Sequence, residues 1–320
     1  RHPGAWVRVR GLVVRGSAIW VAPAAAPAAA PQSTRKPRRR SEGVEEVLSL
    51  RPRGPATIGA AMIVRDAEHH LDRCLASLRS AVDEVVVIDT GSTDRTPAIA
   101  EGHGARVIHS PWRDDFSFRR NESLAASTAD WVLVIDADEW LDNPQALRAA
   151  VLAADASGGL DALVVRPEAL GNAGAPAERF WSVRLFRRQG ACYEYPVHNQ
   201  LRGIANVGPS PLSISSDYTG TVEAKLARSI PLLQRTLEQA TDDAHAHFYL
   251  AKSYFVAGDM ERVLHHGHAA ESLVGDSAQY AQLWVWMFYA SLATAGLREA
   301  EDVVGRGLDR HPDFPELQHT

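Results

Sequence analysis

The stretch DWVLVIDADEW, Asp130 to Trp140, holds the residues best suited to chemistry. Five apolar residues run straight into three carboxylates, Asp136, Asp138 and Glu139. Carboxylates this close repel one another, and removing them from water is costly unless a cation joins them. Either the cluster opens into water as a charged turn or a divalent cation belongs to it. Mg²⁺ and Mn²⁺ take hard oxygen ligands, commonly one or two carboxylates plus substrate phosphates, and Asp136 and Asp138 offer such a pair. A second polar turn, DTGSTDRT, follows another apolar run and begins at Asp89. Gly91 and Ser92 allow a tight turn there, while Thr93 and Asp94 read as the cap of the next helix. Further on, Arg119 to Asn121 open a helical pattern, and arginine is built for bidentate contact with phosphate.

Residues of this kind must be held by a framework, and the flanking pattern supplies one. TIGAAMIV, Thr57 to Val64, is a short apolar strand. Leu71, Cys74, Leu75 and Leu78 then recur at i, i+3, i+4 and i+7, one face of a helix. DEVVVID is a second strand, TPAIAEGHG a helix with Pro97 in its first turn, ARVIHS a third strand, FSFRRNESLAAST another helix and WVLVID a fourth strand. Strands alternating with helices predict an α/β fold with a mostly parallel sheet, helices on both faces and apolar strands. In such open sheets ligands bind outside the carboxyl ends of the strands. Each predicted strand ends in polar residues there: Arg65-Asp66, Asp89, His109 and Asp136. The carboxylate cluster therefore belongs to the ligand edge.

Composition bounds the rest. The 320 residues are 45% hydrophobic and 23% charged, the profile of a globular protein with ample core. Two cysteines, Cys74 and Cys192, offer neither a disulfide framework nor metal-site spacing, which suits a reducing compartment. No apolar run approaches the roughly 18 residues of a membrane helix. The net charge of −5 is uneven: residues 1–53 hold 11 basic and 3 acidic residues, leaving 23 against 36 for the remainder. Those first 53 residues include APAAAPAAAP and RKPRRR, which cannot build a core, so they read as a disordered arm. The chain does not open on Met, and the arm reads as an unremoved processing segment, a vector scar or an upstream reading of the frame. The acidic remainder argues against a nucleic-acid-binding body.

MIVRDAEHHLDRCLASL, VDEVVVIDTGSTDRT, FSFRRNESLAAS and DWVLVIDADEW, in this order and spacing, resemble family 2 inverting glycosyltransferases of the nucleotide-diphospho-sugar transferase (GT-A) fold. The resemblance covers about residues 57–200 and continues into a helical tail. It implies an organisation of 1–53 as arm, 54–220 as glycosyltransferase domain and 221–320 as tetratricopeptide-like repeats. It implies a nucleoside-diphosphate sugar as donor and Mg²⁺ or Mn²⁺ as cofactor. Asp89 would contact the base or ribose, Arg120 and Asn121 the diphosphate, Asp136 the ribose or metal, and Asp138 the metal. The sequence departs from the family at two places. Asp66-Ala67 stands where an Asn-Glu pair is usual, leaving Asp66 a polar role near the base. His198-Asn199 stands for His-Glu, leaving His198 as a further metal or diphosphate ligand but removing an acid.

Inverting transfer is a single displacement, and the acceptor must lose a proton to a nearby base. Asn199 cannot take it. Glu139, Glu194 and Asp217 are the remaining carboxylates, in that order of expectation. The tail is helical in pattern, with AHAHFYLAKSYFVAGDMERVLHHGHAA repeated about 38 residues later by MFYASLATAGLREAEDVVGRGLDRHPDFPEL. Two repeats fall short of the roughly three that stand alone, so docking on the catalytic part is expected, with helix 223–240 as the bridge. Tyr249, Leu250, Tyr254 and Phe288 should be buried, and His265, His266 and His268 should face solvent. The resulting expectation is a metal-dependent glycosyltransferase acting in the cytoplasm or peripherally at the inner membrane face. Its acceptor is open between glycan, lipid and peptide, and its repeats could engage a protein partner. The alternatives are a non-catalytic tetratricopeptide scaffold on a decayed transferase and, last, a nucleotidylyltransferase.

Overall fold

A computed structural model describes residues 54–169, 182–217 and 220–319. The reading of residues 1–53 as a disordered arm falls outside the described residues. Strand β1 (Ile58–Val64) lies between β2 (Glu84–Asp89) and β4 (Trp131–Val134), parallel to both, and β2 pairs in parallel with β3 (Arg106–His109). Beyond β4 the sheet becomes mixed. β7 (Ser182–Arg187) runs antiparallel to β4 and to β6 (Ala162–Ala169); β10 (Val207–Ser216) is parallel to β6; and β5 (Glu139–Leu141) closes the far edge antiparallel to β10. The order β3-β2-β1-β4-β7-β6-β10-β5 gives an eight-stranded, mostly parallel sheet. Among the four strands read from the sequence, β3 is the least buried, because an edge strand has one flank in solvent.

Helix α1 (Leu71–Leu78) buries the four residues its spacing marks, Leu71, Cys74, Leu75 and Leu78. With α2 (Thr96–Gly102) and α4 (Gln145–Ser157) it supplies apolar residues to one core, in which Ile58, Met62, Trp131 and Leu133 are fully buried. The opposite face packs Ala61, Val132, Val134 and Phe186 against Leu124 of α3 (Phe116–Ala126). α3 starts where Asp115 accepts a hydrogen bond from the Phe118 amide, an N-cap of the usual kind. The small ribbon β8 (Cys192–Glu194) and β9 (Gln200–Arg202) lies beside α3.

Helix α5 (Val222–Gln239) leads into two antiparallel helix pairs, α6 (Ala244–Ala257) with α7 (Met260–Leu273) and α8 (Gln282–Thr294) with α9 (Leu297–Arg310). Leu250, Tyr254 and Phe288 are buried as expected, but Tyr249 is only partly so. Its ring faces the Tyr195–His198 turn, where His198 stacks on it at 4.1 Å. His265 and His268 are exposed, whereas His266 turns inward to meet His247, Nδ1 to Nδ1 at 3.0 Å. Among the described residues no helix is long and apolar enough to cross a membrane.

Candidate active site

The acidic loop is built by its own residues. After β4 the chain turns so that the Glu139 amide donates to the Asp136 carbonyl at 3.0 Å. Glu139 Oε2 accepts in return from the Asp136 amide at 2.9 Å. Arg184, on β7, reaches Glu139 Oε1 at 2.8 Å and Asp136 Oδ2 at 3.8 Å, while Arg120 on α3 donates to Asp136 Oδ1 at 3.1 Å. Burial opposes ionisation of Asp136, but the charges of Arg120 and Arg184, the Arg120 hydrogen bond and the more distant Arg228 outweigh it and hold the carboxyl below its usual range. Asp138 goes the other way: burial first, then the charges of Asp136 and Asp217, raise it. Glu139 is pushed up to about 7 by burial, with Asp136 and Asp138 adding to it and Arg184 opposing. Burial first, then mutual repulsion, thus opposes ionisation of Asp138 and Glu139, and an added positive charge would favour it.

Asp89 ends β2, one strand over from β1, and is 3% exposed. Its Oδ1 accepts from the Ser92 amide at 3.1 Å and its Oδ2 lies 3.0 Å from His109 Nδ1. Burial raises its pKa, but these bonds win and keep it low. Asp66, at the end of β1, joins the same turn: its Oδ1 accepts from the Thr93 amide at 2.8 Å, and its own amide donates to Ser92 Oγ at 2.9 Å. Gly91 sits at φ +110°, a conformation that only glycine adopts easily, so the turn after Asp89 depends on it. Asp66 and Asp89 therefore shape one pair of loops at the carboxyl ends of neighbouring strands. Asp94 stabilises the start of α2 by accepting from the Thr96 amide at 2.9 Å.

Asn121 does not point at the acidic loop. Its amide brackets Tyr193, donating to the carbonyl at 2.8 Å and accepting from the amide at 2.7 Å, and so pins β8 to α3. His198 stands apart from Asp136 and Asp138. It sits at φ +53° in a turn with Tyr195 at φ +71°, and both rings stack on α6, Tyr195 on His245 at 3.6 Å and His198 on Tyr249. Burial, helped by Lys252 and His245, lowers His198 to about 3, and its Nε2 is buried without a hydrogen-bond partner among the described residues. Asn199 donates its amide to the Tyr195 carbonyl, closing this turn. An ionised acid could not donate there, which gives the departure from His-Glu a local physical reason.

The three base candidates separate by geometry. Both oxygens of Glu139 are committed to the Asp136 amide and Arg184. Glu194 lies on the β8–β9 ribbon, half exposed and paired with Arg202 at 2.8 Å. Asp217 follows β10, and its amide donates to the Asp138 carbonyl at 3.2 Å. Its Oδ1 faces His70 Nδ1 at 3.2 Å but makes no well-formed hydrogen bond. Asp217 is thus the candidate beside Asp138 with acceptor capacity left.

No three His, Cys, Asp or Glu side chains gather at metal-binding spacing among the described residues. Asp138 and Asp136 still offer the hard oxygen donors of an ion that takes two carboxylates and completes its shell with substrate phosphates. Arg184, Arg228 and His70 were not singled out in sequence. Arg184 had a weak signal, a charge inside the strand SVRLFR.

Residues 60–204 match the family model described as glycosyl transferase family 2. A TPR repeat-containing protein of Synechococcus elongatus is 49% identical over 116 residues, which is 32% of this chain and 29% of the relative. An uncharacterized glycosyltransferase of Rickettsia felis is 43% identical over 86 residues, 26% of this chain and 29% of the relative. The chain thus spans under a third of the length of these curated relatives. Among solved structures, S. aureus TarS superposes with a TM-score of 0.48 at 14% identity, over 81% of this chain and 92% of that one.

Proposed function

We propose that this chain, whose residues 60–204 form a family 2 glycosyltransferase domain, moves a sugar from a nucleoside-diphosphate donor to an acceptor hydroxyl or thiol with inversion. The observation that carries the reading is the convergence of Asp136, Asp138 and Glu139 with Arg120 and Arg184 at the sheet's ligand edge. Asp66 and Asp89, on the neighbouring loops, form the nucleoside end of the cleft. Asp138 and Asp136 would hold a divalent cation, which supplies Lewis-acid counter-charge to the diphosphate when bound. Glu139 fixes the acidic loop and keeps Arg184 aimed at Asp136. Asp217 takes the acceptor proton, in place of the first-ranked Glu139, because it borders Asp138 and keeps acceptor capacity.

The scaffold alternative drew on Ala67 and Asn199. Asn199 has a defined task in closing the Tyr195–His198 turn, so the lost acid does not by itself mark decay. The test is a donor-hydrolysis screen across common sugar nucleotides, with Mn²⁺ and with chelator, following release of nucleoside diphosphate. Release from one donor, abolished by Asp138→Asn, is the expected result. No release and no binding of any donor would put the scaffold reading first.

A further inference from the structure

The first turns of α5 bring exposed cations to the start of α3. Lys225 and Arg228 stand one turn apart in the first turns of α5, both exposed. The Arg228 guanidinium lies 5.1 Å over the ring of Phe116, the residue that opens α3 four positions before Arg120. The Phe116 amide donates to the Pro196 carbonyl at 2.8 Å, which brings the Tyr195–His198 turn to the same place. From α6, Lys252 Nζ lies 5.9 Å from the centre of the Tyr249 ring on which His198 stacks. Arg228 therefore stands over the start of α3, the helix whose Arg120, one turn on, reaches Asp136. Among the described residues no carboxylate lies within ion-pair distance of Lys225 or Arg228, whereas two turns along the same helix face Arg235 has Asp114 at 2.6 Å. Lys225 and Arg228, adjacent on one helix face with no carboxylate at ion-pair distance among the described residues, suit an anion.

We propose that Arg228, with Lys225, binds the donor's diphosphate and stabilises it as the leaving group, so that the helical tail completes the active site. This rests on the transferase reading above. In the step, the acceptor oxygen bonds to the anomeric carbon as the bond from that carbon to the β-phosphate oxygen breaks. The electron pair leaves with the phosphate, and the acceptor proton passes to Asp217. The extra negative charge develops on the phosphate oxygen, where a guanidinium helps most. Arg228 is thus assigned a catalytic role and the tail a part in donor recognition.

The experiment is calorimetric titration of the full chain, with Mn²⁺, using UDP, GDP, ADP, CDP and dTDP in turn and the matching monophosphates as controls. Arg228→Ala should weaken the preferred diphosphate about 10- to 100-fold, the worth of a charge-assisted contact. It should leave monophosphate binding nearly unchanged, and Arg228→Lys should restore part of the loss. Arg235→Ala, on the same helix outside the cleft, should alter neither. Equal diphosphate affinity in wild type and Arg228→Ala would overturn the inference and leave the transferase reading standing. So would an equal loss for monophosphates. Wild type that binds none of the five diphosphates would overturn both together.

Discussion

The acidic loop and the seam between the sheet-bearing part and the helical tail respond to burial in opposite ways. At the loop, burial and mutual repulsion raise Asp138 and Glu139, and only Asp136 is kept low by its arginines. At the seam, burial lowers His198 to about 3 and His245 to about 4, and the neutral rings stack on Tyr249 and Tyr195. His266, deeper in the tail, is lowered to about 4 by burial and then by His247 and His265. The seam holds neutral rings and so leaves no buried imidazolium to compensate, although the buried His198 Nε2 has no hydrogen-bond partner among the described residues. The loop instead holds charges that wait for something to neutralise them. Chemistry belongs where the electrostatics are incomplete, and assembly belongs where they are closed.

Breaking the loop should give the largest effect. Asp138→Asn removes a carboxylate from the cation pair and should cut Mn²⁺-dependent donor binding about 100-fold or more. The fold should hold, with the apo protein unchanged or slightly more stable. Calorimetry with and without Mn²⁺ checks this, and metal-independent affinity equal in both proteins would reduce the loop to a charged turn. Breaking the seam should read out as stability instead. Tyr249→Ala removes the ring under His198 and should cost about 2–4 kcal/mol by chemical denaturation. It should also let the Tyr195–His198 turn relax from its left-handed backbone. An unchanged midpoint would show that the stack holds nothing together.

Much of this contrast was legible before any coordinates. The alternation of apolar runs and amphipathic stretches placed β1, α1, β2 and β4 correctly, because local periodicity is set by what each element must bury. The run WVLVI into DADE put the carboxylates at the strand end for the same reason. What was not legible depends on partners far along the chain. Glu139 looked like a free acid because Arg184, which occupies it, comes 45 residues later. His198 looked like a companion of Asp138 because nothing local announces a positive φ or a stack on Tyr249. Arg228 looked like an ordinary charge on an amphipathic helix until α5 was seen lying over Phe116. The reversal of strand direction beyond β4 likewise follows from pairing, which alternating patterns do not specify.

Within the tail the helices approach closely at glycines, which gives a smaller test. A Cβ on Gly307 would stand 2.9 Å from Trp284 Cβ and 3.0 Å from Leu317 Cδ1. Gly307→Ala should lose about 1–2 kcal/mol, overpacking exceeding the gain in helix propensity of up to about 1 kcal/mol. Donor binding should hold at temperatures where the variant stays folded. A stabilised variant would show that α9 has room to move off α8.

The smallest effect sharpens the comparison through pH. Glu139 has its folded pKa near 7 against 4.5 unfolded, so between those values the folded state binds the extra proton. Its contribution therefore falls as pH rises through that window and is fully lost above about 7. The seam histidines behave oppositely. With folded values of about 3 for His198 and about 4 for His245 and His266, the unfolded state binds more protons below 6.5. Their contribution grows as pH rises toward 6.5 and fades as it falls. The two windows overlap between about 4.5 and 6.5, so the wild-type curve should look flatter there than either part alone. Glu139→Gln removes the falling part. Urea denaturation across pH 4.5–8 should show the variant gaining on wild type as pH rises, by about 1 kcal/mol at pH 8 after allowing for the lost Arg184 pairing. Saturating Mn²⁺ with donor should erase the difference, because the filled site neutralises what Glu139 adds. A difference that grew toward acid pH would mean that the Arg184 pair outweighs burial, and the loop would then be as closed as the seam.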